Sequence, residues 1–204
     1  MKDRFVIGIL MFGLISTANL WGQHLLINEV SRGEVKWVEI YNPTMHDVNL
    51  DGWKLRNSNG EDMLSGVIQA HGYLVVCESR SELTQNFEVQ SQILELPDRR
   101  IGSGLNANAD MLVLLDNRGR IVDFVNWGHP NPNWRFYFKD LWNPGVIASG
   151  SVIGRLPNAL DRDLPDDFRG LGMATPGAMN QTYAGLGTAS WGKIKAIFAG
   201  QKHR

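Results

Sequence analysis

The first clear pattern in the chain is a pair of short strand-like runs, Leu25–Val30 and Val35–Tyr41, joined by Ser31–Glu34. The second run alternates apolar and polar residues, the period-two signature of a half-buried strand. Gly33 is expected to supply the positive φ of a tight turn, and Pro43 ends the second strand because proline has no N–H for the ladder. This stretch therefore predicts a β-hairpin.

The same kind of pattern recurs between turns rich in Gly, Asn and Asp. Val48–Leu55 reads as one strand with a bulge at Gly52, and Met111–Leu115 with Ile121–Val125 reads as a second hairpin. Residues 79–103 read as irregular apart from one short strand. Further strands are predicted at 67–68, Tyr73–Cys77, Ile93–Leu96 and Val152–Leu156. Many short strands with few helical patterns predict an all-β sandwich.

Composition agrees with one globular domain plus terminal appendages. The chain has 204 residues, of which 43% are hydrophobic and 20% charged, and its 22 glycines and 8 prolines favour turns over helices. A net charge of -1 gives no overall footprint for nucleic acid. The single cysteine, Cys77, excludes an internal disulfide and a CxxC metal site, and we expect it to be buried and inert.

The N-terminus has the order of a secretory signal peptide. Lys2 and Arg4 precede the apolar stretch Phe5–Ile15, and small residues follow at 16–18. The apolar stretch is shorter than the roughly 20 residues that span a bilayer. We therefore expect residues 1–22 to be a signal peptide, cleaved after Ala18 or Gly22. The mature chain should carry no transmembrane segment and be exported to a periplasm, a cell surface or the medium.

Taken together, the segments resemble the lamin tail domain family over Leu25–Asn180. The order and spacing of the pieces carry the resemblance more than any single piece. The matching pieces are INEV at Ile27–Val30, WVEIYNP at Trp37–Pro43, VNLDGWKL at Val48–Leu55, GYLVV at Gly72–Val76, GLNANADMLVLLD at Gly104–Asp116, GRIVDFV at Gly119–Val125, GRLP at Gly154–Pro157, DF at Asp167–Phe168 and TPGAMN at Thr175–Asn180.

The resemblance implies an immunoglobulin-like β-sandwich of the kind found in nuclear intermediate filaments and in exported bacterial proteins. It also implies a non-catalytic binding or scaffold role at the cell envelope or outside the cell, with an unknown protein or polysaccharide as partner. Residues 24–180 would form the sandwich, and residues 181–204 a linker with a short basic tail. The departure from the family pattern is a longer aromatic insertion at 128–150.

A hydrolase acting on polysaccharide or nucleic acid is the alternative. Glu29 and Glu39 lie on the two arms of the first hairpin, so a glycosidase-like carboxylate pair is conceivable. The competing interpretation makes them polar strand residues, with Glu29 facing Lys36 across the turn. No sequence feature supplies a cleft around them.

An aspartate-rich loop is a weak candidate for Ca²⁺, since hard oxygen ligands at alternate positions suit that ion. Its acidic residues are Asp161, Asp163, Asp166 and Asp167. The spacing lacks the central glycine and the distal glutamate of an EF-hand, so a solvated loop is the alternative, and the loop could equally serve the hydrolase. The histidines are scattered singly, which argues against zinc. No cofactor is expected.

Two apolar clusters are candidate binding surfaces. The first is the aromatic insertion, which is either a recognition platform or a lid over the sandwich; its members are Trp134, Phe136, Tyr137, Phe138 and Trp142. The second is a short amphipathic helix in the tail, with its stripe at Trp191, Ile194, Ile197 and Phe198. That tail would dock on its own sandwich, bind a membrane surface or partner, or act as a sorting signal.

Overall fold

The computed structural model describes residues 24–131 and 141–181. Within them the elements are short, as the turn-rich sequence predicts. The strands are β1 Leu26–Ser31, β2 Trp37–Tyr41, β3 Val48–Asn49, β4 Lys54–Asn57, β5 Glu61–Met63, β6 Val67–Ile68, β7 Tyr73–Cys77, β8 Gln92–Glu95, β9 Asp110–Leu115, β10 Ile121–Trp127, β11 Val152–Arg155 and β12 Phe168–Gly170. One α-helix, α1, spans Arg80–Asn86, and a 3-10 turn spans Pro165–Asp167.

Two sheets face each other across the core. The larger sheet has the order β12-β11-β1-β2-β7-β8, and the smaller has the order β10-β9-β4-β5. A separate two-stranded ribbon pairs β3 with β6. The named strand pairs are antiparallel except β7–β8, which is parallel. This architecture confirms the predicted all-β, immunoglobulin-like sandwich.

Alternating side chains of the two sheets fill the space between them. The larger sheet contributes Ile27, Val38 and Ile40, and the smaller contributes Leu112 and Leu114. Each is fully buried or nearly so, and burying one such side chain stabilises the fold by about 1.5–3 kcal/mol before ordering costs. The core therefore forms where the period-two pattern of the strands predicts it.

The first hairpin forms, but its turn differs from the prediction. Ser31 pairs with Trp37, so the loop runs over residues 32–36, and the Ser31 hydroxyl donates to the Val35 carbonyl at 2.6 Å. Gly33 does not have a positive φ. A Cβ there would lie 2.9 Å from Cβ of Ser151, so the glycine permits a close approach of two loops instead.

The stretch Val48–Leu55 is two strands and not one bulged strand. Gly52, at φ +82°, turns the chain between β3 and β4, which lie in different sheets. The second hairpin forms as predicted between β9 and β10. The Asp116 carboxylate accepts from the Arg118 and Arg120 amides, and Gly119 takes the left-handed conformation at φ +75°.

A third layer covers the outer face of the larger sheet. Trp37, Cys77 and Leu83 of α1 are fully buried there, against residues that include Leu171 and Ala174 of the C-terminal segment. The helix was missed by the sequence analysis, although Ser79 caps it by accepting from the Glu82 amide at 3.3 Å. In the described part of the chain, no helix has the length and apolarity needed to cross a membrane.

Candidate functional site

Glu29 and Glu39 lie directly opposite each other in the antiparallel pair β1–β2. Glu39 stands between Trp37 and Tyr41, so it points to the outer face of the larger sheet, while Val38 and Ile40 point into the core. Both glutamates are 0% exposed. The expectation that Glu29 faces Lys36 is therefore wrong, because the longer loop shifts the register to Glu39.

The two carboxylates hold the C-terminal segment. Glu29 accepts hydrogen bonds from the amide of Thr175 at 3.0 Å and from its hydroxyl at 2.8 Å. Glu39 accepts from the amide of Gly177 at 2.6 Å and from the side-chain amide of Asn28 at 2.7 Å. We call this arrangement the glutamate latch. It binds residues 175–177 to the middle of the larger sheet.

The turn at residues 175–178, which the latch holds, has the conformation that a proline followed by a glycine favours. Gly177 has φ +84°, and the Ala178 amide donates to the Thr175 carbonyl at 3.0 Å, as in a turn with proline at its first corner. Asn180 continues the attachment, because its side-chain amide donates to the carbonyls of Asn28 and Arg155, each at 3.0 Å.

The latch contains two acids, and neither forms an ion pair with a cation among the described residues. Burial raises the pKa of Glu29 to about 7, against the hydrogen bonds from Thr175 that favour its charged form. Burial also raises the pKa of Glu39 to about 8, and the neighbouring Glu29 adds to this. The latch therefore retains protons near neutral pH.

A second buried acidic cluster lies around Arg155, and we call it the Arg155 cluster. The guanidinium of Arg155 bonds both oxygens of Asp123, at 2.8 and 2.9 Å, and one oxygen of Asp161 at 3.1 Å. It also donates to the Ile27 carbonyl at 2.9 Å. Since Asp123 is on β10 and Arg155 on β11, the cluster ties the two sheets together.

The predicted aspartate loop divides between this cluster and solvent. Asp167 is buried and binds Arg162 at 2.7 Å, and Asp161 binds Arg155 and His24. Asp163 and Asp166 are exposed. The four carboxylates do not converge, and among the described residues no three acidic, histidine or cysteine side chains form a group that could hold a metal ion.

Of the predicted aromatic platform, the structure describes Trp142. Its backbone is fixed by Asn126, whose side-chain amide donates to the Trp142 carbonyl and accepts from the Trp142 amide, both at 3.0 Å. Its ring packs 4.8 Å from that of Phe124. The other four members, Trp134, Phe136, Tyr137 and Phe138, lie outside the described residues, as do the tail residues Trp191, Ile194, Ile197 and Phe198 and the predicted signal peptide.

Trp142 lines two neighbouring clefts. One of about 520 Å³ runs along Ile121–Phe124 of β10. The other, of about 710 Å³, lies between residues 142–149 and 165–170. We call the larger one the Trp142 cleft. Ile147 stands at it with 79% of its surface exposed, and Asp166 and Arg169 bring charge of both signs.

One wall of the Trp142 cleft is the edge of β12, which ends the larger sheet and pairs with no further strand among the described residues. On the β11 side, the Leu171 amide donates to the Val152 carbonyl, and the Asp167 carbonyl accepts from the Leu156 amide. Because bonding alternates along an antiparallel strand, the amide and carbonyl of Gly170 point away from β11. Neither forms a hydrogen bond within the described part of the chain. An unpaired strand edge is a template for a further strand.

The packed sheets define an immunoglobulin-like β-sandwich with its outer face sealed by a latched C-terminal segment. A family model, Lamin Tail Domain, matches residues 22–129, more than half of the chain. The chain therefore belongs to the lamin tail domain family, in agreement with the resemblance read from its segments. A search of curated proteins finds no match. The sandwich itself continues past the matched region through β11 and β12.

Proposed function

We propose that this chain is an exported, non-catalytic binding or scaffold module that acts at the cell envelope or outside the cell. The observation that carries the proposal is the Trp142 cleft, which combines a fixed aromatic ring, an exposed aliphatic side chain and a free strand edge. These are the features with which a sheet takes up an extended peptide: main-chain bonds supply affinity and side-chain pockets supply specificity. The partner at this cleft is a protein.

The hydrolase alternative has less support from the geometry. Glu29 and Glu39 are sealed beneath the C-terminal segment and already accept hydrogen bonds from their own chain. A general acid or base must reach the proton that it transfers. In this arrangement no substrate reaches either carboxylate. A broad hydrolase screen with the Glu39→Gln variant as comparison tests the point: turnover abolished by that change would restore the alternative.

Retention of proteins from the producing cell's envelope fraction tests the module directly. The unchanged chain and the Ile147→Asp variant are each immobilised and compared. The variant places a charge at the Trp142 cleft, at a position where the native side chain is 79% exposed. Met45→Asp is the matched control, because Met45 is 76% exposed and does not line the cleft. We expect Ile147→Asp to abolish retention and Met45→Asp to preserve it. Equal retention by both variants would overturn the proposed surface.

The tail is a separate part of the proposal. Residues 181–204 combine the apolar stripe at Trp191, Ile194, Ile197 and Phe198 with lysines and no acidic residue. We propose that this stripe is a docking element and that the sandwich ends near Asn180. Deleting residues 181–204 should leave the melting temperature nearly unchanged and reduce retention at the envelope. A loss of several kcal/mol of stability would place the tail in the core instead.

A further inference from the structure

A small polar cavity lies beside the glutamate latch, away from the Trp142 cleft. Its volume is about 370 Å³, and three segments meet around it: the turn before β7, the approach to β8 and the latched turn. None of its lining residues is charged. They are Gln69, Gly72, Tyr73, Gln90, Ser91, Gln92 and Gly177. We call it the glutamine pocket.

The three glutamines give the pocket its hydrogen-bonding capacity. Gln69, Gln90 and Gln92 are exposed, and their side-chain amides have no partner among the described residues. Each amide offers two donors and one acceptor with two lone pairs. An amide of this kind can donate to one hydroxyl of a ligand and accept from its neighbour. With no lining charge to neutralise, the pocket favours an uncharged ligand rich in hydroxyl groups over an anion or a cation.

An aromatic ring completes the pocket. Tyr73 is half-buried and stacks on Tyr41, with ring centroids 4.6 Å apart and planes 29° from parallel. The Tyr73 hydroxyl accepts from the side-chain amide of Asn158 at 3.3 Å, so both ends of the ring are positioned by the protein. A fixed ring offers an apolar face at little entropic cost. The C–H face of a sugar ring matches it, while the sugar's hydroxyls reach the amides.

Two glycines let the walls of the pocket approach each other closely. At Gly177 a Cβ would lie 2.5 Å from the Ser91 hydroxyl, and the backbone there is left-handed. At Gly72 a Cβ would lie 2.9 Å from the Gln69 carbonyl oxygen. The Gly177 amide is in turn bound by Glu39, so the latch fixes one wall of the pocket. The backbone on two sides of the pocket is therefore fixed by close packing and by the latch.

We propose that the glutamine pocket binds a neutral sugar chain, with one or two sugar rings resting against Tyr73 and hydrogen-bonded to Gln69, Gln90 and Gln92. The volume is at the lower end of the range for small-molecule sites, about 300–1,000 Å³, and suits a short saccharide unit. The inference deepens the proposed binding function, because it names a ligand class for a second surface. It does not depend on the Trp142 cleft.

The test titrates the full chain with neutral oligosaccharides, namely hexamers of β-glucan, α-glucan, β-mannan and N-acetylglucosamine, and with an oligogalacturonate as charged comparison. Binding is followed by calorimetry and by the side-chain amide NMR signals of the glutamines. We expect at least one neutral hexamer to bind and to shift those signals. The double variant Gln90→Ala/Gln92→Ala should weaken that binding at least tenfold.

Two controls keep the outcome decisive. Gln85→Ala changes an exposed glutamine on α1 that does not line the pocket, and it should leave binding unchanged. Ile147→Asp should also leave sugar binding unchanged while it abolishes partner retention, so the two proposals fail separately. The inference is overturned if no neutral hexamer binds, if only the charged oligomer binds, or if the double variant binds as well as the unchanged chain with an unaltered melting temperature.

Discussion

The two buried acidic clusters, the Arg155 cluster and the glutamate latch, stabilise their buried carboxyl groups in opposite ways. In the Arg155 cluster, a guanidinium that is 1% exposed bonds the carboxylates of Asp123 and Asp161. In the glutamate latch, two glutamates face each other with hydrogen-bond donors around them and no paired cation among the described residues. The first cluster is stabilised by opposite charge, and the second by retained protons.

The two clusters also have different roles in the fold. Burial raises the pKa of Asp123, while the Arg155 guanidinium beside it favours the charged form, so the Arg155 cluster joins the two sheets through an ion pair. The latch holds a surface segment, and its strength depends on protonation. The latch has no such cation among the described residues, so a rise in pH acts on the attachment of residues 175–180 through the two glutamates.

The largest effect is expected from removing the cation. Arg155→Met leaves Asp123 buried without its partner, and breaking a buried pair in this way costs roughly 3–5 kcal/mol. Denaturant unfolding at pH 7 measures the loss. Arg120→Ala is the matched control, because Arg120 pairs with Asp116 at 2.7 Å but has a side chain that is 70% exposed, and it should cost under about 1 kcal/mol. Similar losses in both variants would refute the role assigned to Arg155.

The next effect is a fall in stability as pH rises. Folded-state pKa values of about 7 for Glu29 and about 8 for Glu39 exceed the ordinary value of 4.5, so the folded chain binds more protons than the unfolded chain between these limits. The stabilisation is complete below about pH 4.5 and is lost as pH rises through 7 and 8. Each unit by which the folded-state pKa of a group exceeds its unfolded-state pKa changes the free energy of unfolding by about 1.4 kcal/mol. Local opening of the latch lets water reach both carboxylates without global unfolding, so the measured loss is smaller than the sum of the two full shifts, and we expect a few kcal/mol.

Glu39→Gln tests this prediction, because glutamine keeps the acceptor for Asn28 and Gly177 and cannot ionise. Unfolding free energies should decline from pH 5 to pH 9 in both proteins, and less steeply in the variant, because Glu29 still titrates there and position 39 does not. The variant should therefore be the more stable of the two at pH 9. Parallel pH profiles would show that Glu39 does not titrate in the folded protein.

The comparison also shows which features a sequence can reveal. The strand pattern at Met111–Leu115 and Ile121–Val125 predicts its hairpin because both the period and the turn residues are local. The turn at Thr175–Gly177 is equally readable, since its conformation follows from proline and glycine. Helix α1 was missed although Ser79 and Glu82 are a recognisable cap pair, because seven residues with one buried leucine show little periodicity.

The acidic clusters could not be predicted from the sequence, because their contacts depend on which segments become neighbours in the fold. Whether Glu29 faces Glu39 or Lys36 depends on a loop length that shifts the register by whole residues. Whether Asp161 and Asp167 hold a cation or face solvent depends on Arg155, which becomes their neighbour only when β11 joins the larger sheet. The same holds for the glutamine pocket, whose walls come from three segments distant in sequence. Local pattern carries no information on such contacts.

A smaller effect is expected at the latch itself. Thr175→Val removes the hydroxyl that donates to Glu29 at 2.8 Å and also lies 3.1 Å from the side-chain oxygen of Asn180. It leaves the hydrogen bond from the Thr175 amide to Glu29 in place. Loss of one hydrogen bond to a buried group costs about 1–2 kcal/mol. Amide hydrogen exchange should show faster opening at residues 175–180, with β9 and β10 unaffected. Thr84→Val on α1 is the control, since its exposed hydroxyl bonds only helix carbonyls. Uniform acceleration across the sandwich would show that the segment is not a separable latch.

The smallest effect concerns His24, at the edge of the Arg155 cluster. Its Nε2 lies 3.3 Å from Asp161, and this contact raises the pKa of His24 despite partial burial. The protonated form is thus favoured in the folded chain, so its stabilisation is present below pH 6.5 and is lost as pH rises through the raised pKa. Because the side chain is 42% exposed, solvent screening limits the contribution to under about 1 kcal/mol.

His24→Gln should therefore destabilise the chain slightly at pH 5.5 and leave it unchanged at pH 9, while an NMR titration of the unchanged chain places the His24 pKa above 6.5. His46→Gln is the control, because His46 is exposed and forms no ion pair within the described part of the chain. Added salt should reduce the small loss at pH 5.5, as screening weakens an exposed pair. An equal loss at both pH values would mean that His24 stabilises the chain through packing and not through charge. His24 would then not belong to the ion pairs of the Arg155 cluster.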